Sequence, residues 1–253
     1  MPFDLKRLRS SLKPFRLHWY TRLGSTNDHA AKLRGEGELF APAVVLTGHQ
    51  LAGRGRGANR WTSPRGCLTV TFVLPIHDTL PPHQLPLLAG LAVRNACAEI
   101  SGSQEIKLKW PNDLLYDDRK IAGLLCERVH KADLIGLGLN INCRPADFPR
   151  ALRPAVGSLS EPAGGEIDMT GALLAVAKSL HRTIDQAAET SFESVLREYD
   201  AHHALPGRRV RIIGGEGEPP VEGVCEGLDR LGRLLLRDRK TLHHVIAGHV
   251  ELM

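Results

Sequence analysis

The strongest constraint on the fold is a change of periodicity at Leu205-Pro206-Gly207. Upstream, apolar residues recur at helical spacing in some stretches and at alternate positions in others. Downstream, helical spacing never returns. GRRVRIIGG, VEGVCEGLD, GRLLLRD and HHVIAGHVELM are short β-rich runs separated by Gly and Asp. Closely spaced strand runs with turn residues between them fit a small β-barrel of roughly 45–50 residues. The break therefore divides the chain into a larger domain, residues 1–205, and a small all-β domain, residues 206–253.

The larger domain reads as α+β. LHWYTRLGSTNDHAAKL starts as a short strand, turns, and continues as a helix through Ala30, Ala31 and Leu33, capped by Ser25, Thr26 or Asn27. PAVVLTGHQ holds a β-branched strand from Ala43 to Thr47. CLTVTFVLP alternates, with Leu68, Val70, Phe72 and Leu74 on one face. Pro81 and Pro82 precede a helix in HQLPLLAGLAVRNACAEI. IKLKWPNDLLYDDRKIAGLLCERV reads as strand, proline turn, strand, polar hairpin turn, strand, and LIGLGLNIN as a buried strand interrupted by glycines. MTGALLAVAKSLHRTIDQAAE and SFESVLREYDAHH are two further helices. LAGRGRGANRWTSPRG has no apolar period and reads as a loop.

Composition sets outer bounds. Hydrophobic residues at 42% and charged residues at 24% support a sizeable core and exclude a disordered or fibrous chain. A net charge of +5 suits anionic cofactors, acidic partners or nucleic acid and selects none of them. Five scattered cysteines with no CxxC pair predict free thiols in a reducing cytoplasm. The basic N-terminus is followed by no apolar run, so no signal peptide and no membrane partner are expected.

Four motifs carry chemistry. In Gly53-Arg54-Gly55-Arg56, with Trp61 after it, glycines let the backbone approach a ligand and the guanidinium groups offer forked donors to carboxylate or phosphate. The indole can cover an apolar ring. A solvated basic loop has the same composition. No helix follows as in a dinucleotide fingerprint, and GxxxxGK[ST] is absent. Lys109-Trp110-Pro111-Asn112-Asp113 places polar residues at a strand mouth and, on spacing alone, is a β-turn. In Lys120-Ile121-Ala122-Gly123, followed by Glu127, a lysine stands in an apolar strand. Either it meets an anion, or it ends a hairpin with its head in water. Gly136-Leu137-Gly138-Leu139-Asn140 places glycines where a ligand or a second backbone comes close, and Asn140 can bond an adenine edge. His202-His203 and His243-His244 read as surface pairs, since no further ligand has metal-site spacing.

Taken in order, Ser25-Thr26-Asn27, Gln50 with GRGR and Trp61, KWPND, KIAG and GLGLN, then a small β domain, resemble the biotin–protein ligase family along nearly the whole chain. The resemblance implies a catalytic domain related to class II aminoacyl-tRNA synthetases, a mixed sheet with flanking helices, followed by an SH3-like barrel. It implies biotin and MgATP as substrates, biotinyl-5′-AMP as intermediate and pyrophosphate as product. The acceptor would be a lysine of a biotin carboxyl carrier protein. Ser25, Thr26 and Gln50 would hold the ureido ring, with Asn27 beside them. Arg54 and Arg56, with Gly53 and Gly55, would hold the biotin carboxylate and the phosphate. Trp61 would shield the adenylate, and Gly123 and Gly136 would line the biotin pocket. Lys120 would meet the carboxylate and the developing phosphoryl charge. Asn112 and Asp113 would sit by the phosphate and the incoming lysine, and Asn140 by the adenine. Catalysis would fall to Lys120, Asp113 and Arg54. The protein itself would bind no resident metal, and it would act as a monomer or homodimer.

Two departures from relatives bear on partners. Some relatives carry an N-terminal winged helix and act as repressors. About fifteen residues precede the catalytic region here, so a monofunctional enzyme without specific DNA binding is expected. Some relatives extend past the last strand with an arginine that reaches ATP, and Met253 is expected in that place. The rival readings are a lipoate–protein ligase, whose pocket needs no polar group for a ureido ring, and a non-catalytic biotin or nucleotide sensor, which needs no Asp113.

Overall fold

The computed structural model describes residues 2–77, 80–189, 191–214 and 219–253. The chain begins with a helix that sequence reasoning missed, α1 (Leu5–Ser11), capped by the Asp4 side chain, which accepts from the Arg7 N–H at 2.9 Å. Leu5, Leu8 and Leu12 at helical spacing were the available signal, and Leu8 and Leu12 are buried. There follow β1 (Arg16–Tyr20), α2 (Thr26–Gly35) and β2 (Ala43–Thr47). Of the three possible caps it is Ser25 that precedes α2 in extended conformation, its Oγ accepting from the Asp28 N–H at 3.3 Å.

The glycine–arginine stretch is not wholly irregular. It contains a short antiparallel ladder, β3 (Gly53–Arg54) against β4 (Arg60–Trp61). Strands of two residues are too short to show a period, so the pattern read as loop. Then come β5 (Cys67–Pro75), α3 (Leu85–Ser101), β6 (Lys107–Lys109), β7 (Asp113–Tyr116), β8 (Arg119–Val129) and β9 (Ala132–Asn140). Two short 3-10 turns, Pro145–Asp147 and Arg153–Ala155, lead to α4 (Ser160–Ala163), α5 (Met169–Glu189) and α6 (Phe192–Ala201). Asp117 and Asp118, and later His130 and Lys131, all have positive φ. These are the two-residue turns whose twist matches that of a hairpin.

Seven strands form one mixed sheet in the order β1-β2-β5-β9-β8-β7-β6, with β1 parallel to β2 and the other pairs antiparallel. The alternation along β5 decides what lies on each side. Leu68, Val70, Phe72 and Leu74 face a core shared with Leu88 and Leu91 of α3 and Leu173 and Val176 of α5. Val73 faces the other way and packs with Val45, Leu134 and the α2 residues Ala30 and Leu33. Each fully buried leucine or phenylalanine stabilises this arrangement by roughly 1.5–3 kcal/mol. With both faces covered, every residue of β9 is buried.

After Leu205 come β10 (Arg209–Ile213), β11 (Val221–Leu228), β12 (Leu234–Arg237), β13 (Leu242–Val245) and β14 (His249–Leu252), an antiparallel sheet in the order β13-β12-β11-β10-β14. The tail HHVIAGHVELM is two strands rather than one run, divided where Gly248 takes a φ of 150°. Val210, Ile212, Leu234 and Leu236 join the same continuous core as α3 and α5. Trp110 Nε1 donates to Gly232 O at 3.1 Å, and Arg208 pairs with Asp118 at 2.6 Å. The small sheet is thus docked on the KWPND turn and the β7–β8 hairpin. His202 and His203 are not a surface pair: the His203 side chain is fully enclosed against Tyr199, because the backbone of 202–204 pairs with Leu108 along the β6 edge.

Candidate active site

Cross-strand register builds the floor of the site. Thr69 of β5 faces Gly138 of β9, Gly138 faces Gly123 of β8, Gly123 faces Asp113 of β7, and Asp113 faces Lys109 of β6. Five strands thus contribute one row on one face of the sheet. Two members of the row are glycines, so the floor there is bare backbone. The Trp61 indole fills that gap: a Cβ on Gly138 would lie 2.1 Å from Trp61 Cε2 and one on Gly123 3.2 Å from Cζ3. Lys120 leans over the same indole, its Nζ 5.6 Å from the ring centroid and 2.6 Å from Asp113 Oδ1. The lysine in the apolar strand does meet an anion, and in this state that anion is the carboxylate of KWPND.

At the α2 end the polar groups are buried and bonded to one another. Gln50 Oε1 accepts from Thr26 N at 2.9 Å and from Thr26 Oγ1 at 3.3 Å. Thr71 Oγ1 lies 2.9 Å from Thr26 Oγ1 and 2.6 Å from Asn27 Oδ1. Asn27 Nδ2 donates to Leu125 O at 3.1 Å and to Glu127 Oε2 at 2.7 Å. This packing needs Gly136, where a Cβ would stand 2.3 Å from Asn27 Oδ1.

The two arginines of GRGR part company. Arg54 Nη2 lies 2.6 Å from Asp28 Oδ1 and 3.0 Å from both Glu127 oxygens, so it sits over the α2 end. These acids outweigh burial and raise its pKa. Arg56 turns toward the nucleus of the molecule. It donates to Gly248 O of the small sheet at 3.2 Å and to Asn112 Oδ1 at 3.4 Å, and burial lowers its pKa against the pull of Asp113. Asn112 is itself fixed, its Nδ2 donating to Leu124 O at 2.7 Å.

Together these groups line one cavity of about 380 Å³. It gathers Ser25, Thr26, Asn27, Gln50, Arg54, Gly55, Arg56, Trp61, Asn112, Asp113, Lys120, Gly123, Gly136 and Asn140. Gly53 lies behind the wall, where a Cβ would meet Gln50 Nε2 and Trp61 O, each at 2.5 Å. Asn140 is held by its Nδ2, which donates to Gly157 O at 3.0 Å, while its buried Oδ1 has no partner among the described residues. Sequence reasoning missed several members. Asp28 and Glu127 hold Arg54, and Lys109, His249 and Leu252 line the cavity. Burial lowers the Lys109 pKa, opposed by Asp113 and aided by Lys120 and Arg208.

The chain matches the Biotin/lipoate A/B protein ligase family over residues 19–142 and the Biotin protein ligase C terminal domain over residues 207–253. The biotin--[acetyl-CoA-carboxylase] ligase of Paracoccus denitrificans is 33% identical, across 85% of this chain and 92% of the relative. The bifunctional ligase/repressor BirA of Bacillus subtilis (strain 168) is 30% identical, across 97% of this chain and 76% of the relative. The chain belongs to the biotin protein ligase family. The Aquifex aeolicus biotin protein ligase, solved in complex with biotin and ATP, superposes on this ligase with a TM-score of 0.84 at 27% identity, covering 94% of this chain and 98% of that one. The Leishmania major biotin protein ligase in complex with biotinyl-5-AMP gives 0.65 at 27% identity, covering 95% and 99%. Among the described residues of this ligase no helix is long and apolar enough to cross a membrane, and no three His, Cys, Asp or Glu side chains are grouped to hold a metal ion.

Proposed function

We propose that this ATP-dependent biotin–protein ligase carries out both of its half-reactions in the one cavity. One observation carries the reading: the neutral side chains of Ser25, Thr26, Asn27 and Gln50 and the cations Arg54, Arg56 and Lys120 line the same cavity. Ser25, Thr26 and Gln50, with Asn27 beside them, take the ureido ring. Gly123 and Gly136 line the biotin pocket by letting Trp61 and Asn27 lie close on the sheet. Arg54, Arg56 and Lys120 neutralise the biotin carboxylate and the phosphates of MgATP, and Asn112 lies beside them. Asn140 turns its unpartnered Oδ1 to the adenine amino group, a donor that would satisfy it. Trp61 covers the adenylate.

In the first half-reaction a carboxylate oxygen of biotin attacks the α-phosphorus of ATP. The bond to the bridging oxygen breaks, and pyrophosphate leaves with the electron pair. Two anions must be brought together, and Lys120 stabilises the charge that gathers. To do so it exchanges the Asp113 carboxylate for phosphoryl oxygen, which frees Asp113. In the second, the amine of a carrier-protein lysine attacks the acyl carbon of biotinyl-5′-AMP. AMP departs, and Asp113 takes the amine proton. Residues 1–205 serve as a class II synthetase-like catalytic domain and 206–253 as an SH3-like domain that closes the nucleotide side through Gly248, His249 and Leu252. The free cysteines suit a cytoplasmic setting, with the enzyme a monomer or homodimer.

Pyrophosphate release from MgATP tests the reading, measured with biotin and with lipoate, followed by label transfer to a carrier-protein lysine. Release with biotin and transfer to the carrier are expected. Release with lipoate alone would make the polar end a misreading. Nucleotide binding without release would leave a sensor.

A further inference from the structure

Glu127 lies outside the ligand contacts assigned above, yet it joins the two arms of the α2 end. Its Oε2 accepts from Asn27 at 2.7 Å, and both its oxygens lie 3.0 Å from Arg54 Nη2. We propose that Glu127 is a positioning residue that sets the hydrogen-bond polarity of the ureido pocket, acting through Asn27, Thr71 and Thr26. The proposal rests on the placing of the ureido ring at Ser25, Thr26 and Gln50.

A carboxylate oxygen in this place only accepts, and so does Leu125 O. Between them they require that the Asn27 amide present its NH2 to β8 and its Oδ1 to Thr71. Oδ1 is an acceptor, so the single hydroxyl proton of Thr71 goes to it, across 2.6 Å. The same Thr71 hydroxyl is also directed at Thr26 Oγ1, which accepts it at 2.9 Å. Thr26 Oγ1 therefore sends its own proton to Gln50 Oε1 at 3.3 Å, beside the Thr26 N–H at 2.9 Å. With its proton committed to Gln50, Thr26 Oγ1 offers the cavity a lone pair. A ureido ring presents N–H donors, so an acceptor is what the pocket needs there. Rotation of the Thr26 hydroxyl would turn the same atom into a donor facing a donor. Thr26, Asn27 and Thr71 are nearly sealed from water, at 4%, 3% and 0% exposure, so solvent cannot repair a reversed bond.

The test is biotin binding by titration calorimetry, with steady-state adenylation beside it, on E127A, E127Q, T71V and Q50A. Removing a charge-assisted acceptor or the next link should weaken biotin binding about tenfold or more in E127A, and several-fold in T71V. E127Q keeps an oxygen for Asn27 and should recover most of the loss. In T71V, which leaves Arg54 and its acids untouched, KM for biotin should rise while kcat at saturating biotin and KM for ATP stay in place, a split that a general loosening of the fold would not give. The isosteric T71V keeps the proposal testable if E127A folds poorly. Unchanged biotin affinity in both E127A and T71V, with Q50A weakened, would overturn the relay. E127Q as weak as E127A would show that charge, not acceptor polarity, matters, and would overturn it too. If Q50A also binds as wild type, the placing of the ureido ring itself has failed.

Discussion

At the α2 end of the cavity the neutral polar side chains are fixed by hydrogen bonds and close packing. Ser25 caps a helix, Thr26 is bonded to Gln50 and Thr71, and Asn27 is wedged over Gly136. The cations that line the same cavity are held instead by acids in ion pairs. Lys120 rests on Asp113, and Arg54, which lies over the α2 end with 42% of its side chain exposed, rests on Asp28 and Glu127 from a short hairpin. The difference matches the ligands proposed for the two sets of residues. A neutral ring is told from its analogues by buried donors and acceptors that cannot rearrange. An anion attracts cations in almost any geometry, but cations facing an apolar floor with no counter-charge are costly. Internal acids offset that cost, and the exposed pair of Arg54 with Asp28 is worth only about 0–1 kcal/mol, so breaking it is cheap.

The largest effect should come from the group that acts on the transferring phosphoryl. Lys120→Ala is expected to slow adenylate formation on the order of 10²–10³-fold in single-turnover pyrophosphate release, the range seen when one preorganised stabilising donor is removed. Biotin binding, followed by calorimetry, should fall far less, because the ureido contacts remain. An equal loss in both would erase the distinction between the two ends. Arg54→Ala should speed loss of bound biotinyl-5′-AMP by roughly 10–100-fold, as expected for one charge-assisted bond. Its melting temperature should stay within a degree or two, since the pairs it loses are exposed. Gln50→Ala belongs to the other end and should weaken biotin by a factor of about 2–12, one net hydrogen bond, with ATP affinity intact.

The smallest effect is one of pH. Burial holds the Lys109 amine below its ordinary pKa, so the folded protein releases that proton before the unfolded chain does. Folding therefore gains stability as pH rises from the lowered value toward the ordinary lysine value of about 10.4. Lys109→Met should be the more stable protein near neutrality, and its advantage in thermal melting should shrink as the buffer is made alkaline. A constant difference across pH would show that Lys109 carries no desolvation cost.

Long periodic elements were legible from sequence. The pattern MTGALLAVAKSLHRTIDQAAE is α5 residue for residue, and the alternation of β5 correctly divides the two faces of the sheet. The order of motifs led to the cavity, but not to how its parts are held. Gly53–Arg54 and Arg60–Trp61 pair over two residues, below the length at which a period exists. Asp28 and Glu127 lie 99 positions apart, and only the packing of α2 on β2, β5 and β9, with Asn27 reaching over to β8, brings both to Arg54. Lys109 passed as part of a turn motif because its neighbours Asp113 and Arg208 are set by strand register and by docking of the small sheet. His249 and Leu252 reach the cavity from a sheet whose placement depends on the Trp110–Gly232 and Arg208–Asp118 contacts.

The central claim is that one cavity holds biotin and nucleotide end to end and joins them. Mass spectrometry of the protein-bound species, after mixing with biotin and MgATP without carrier protein, tests it most directly. The account predicts biotinyl-5′-AMP retained by the protein, at close to one equivalent. Biotin and ATP recovered unjoined, with both shown to be bound, would contradict it.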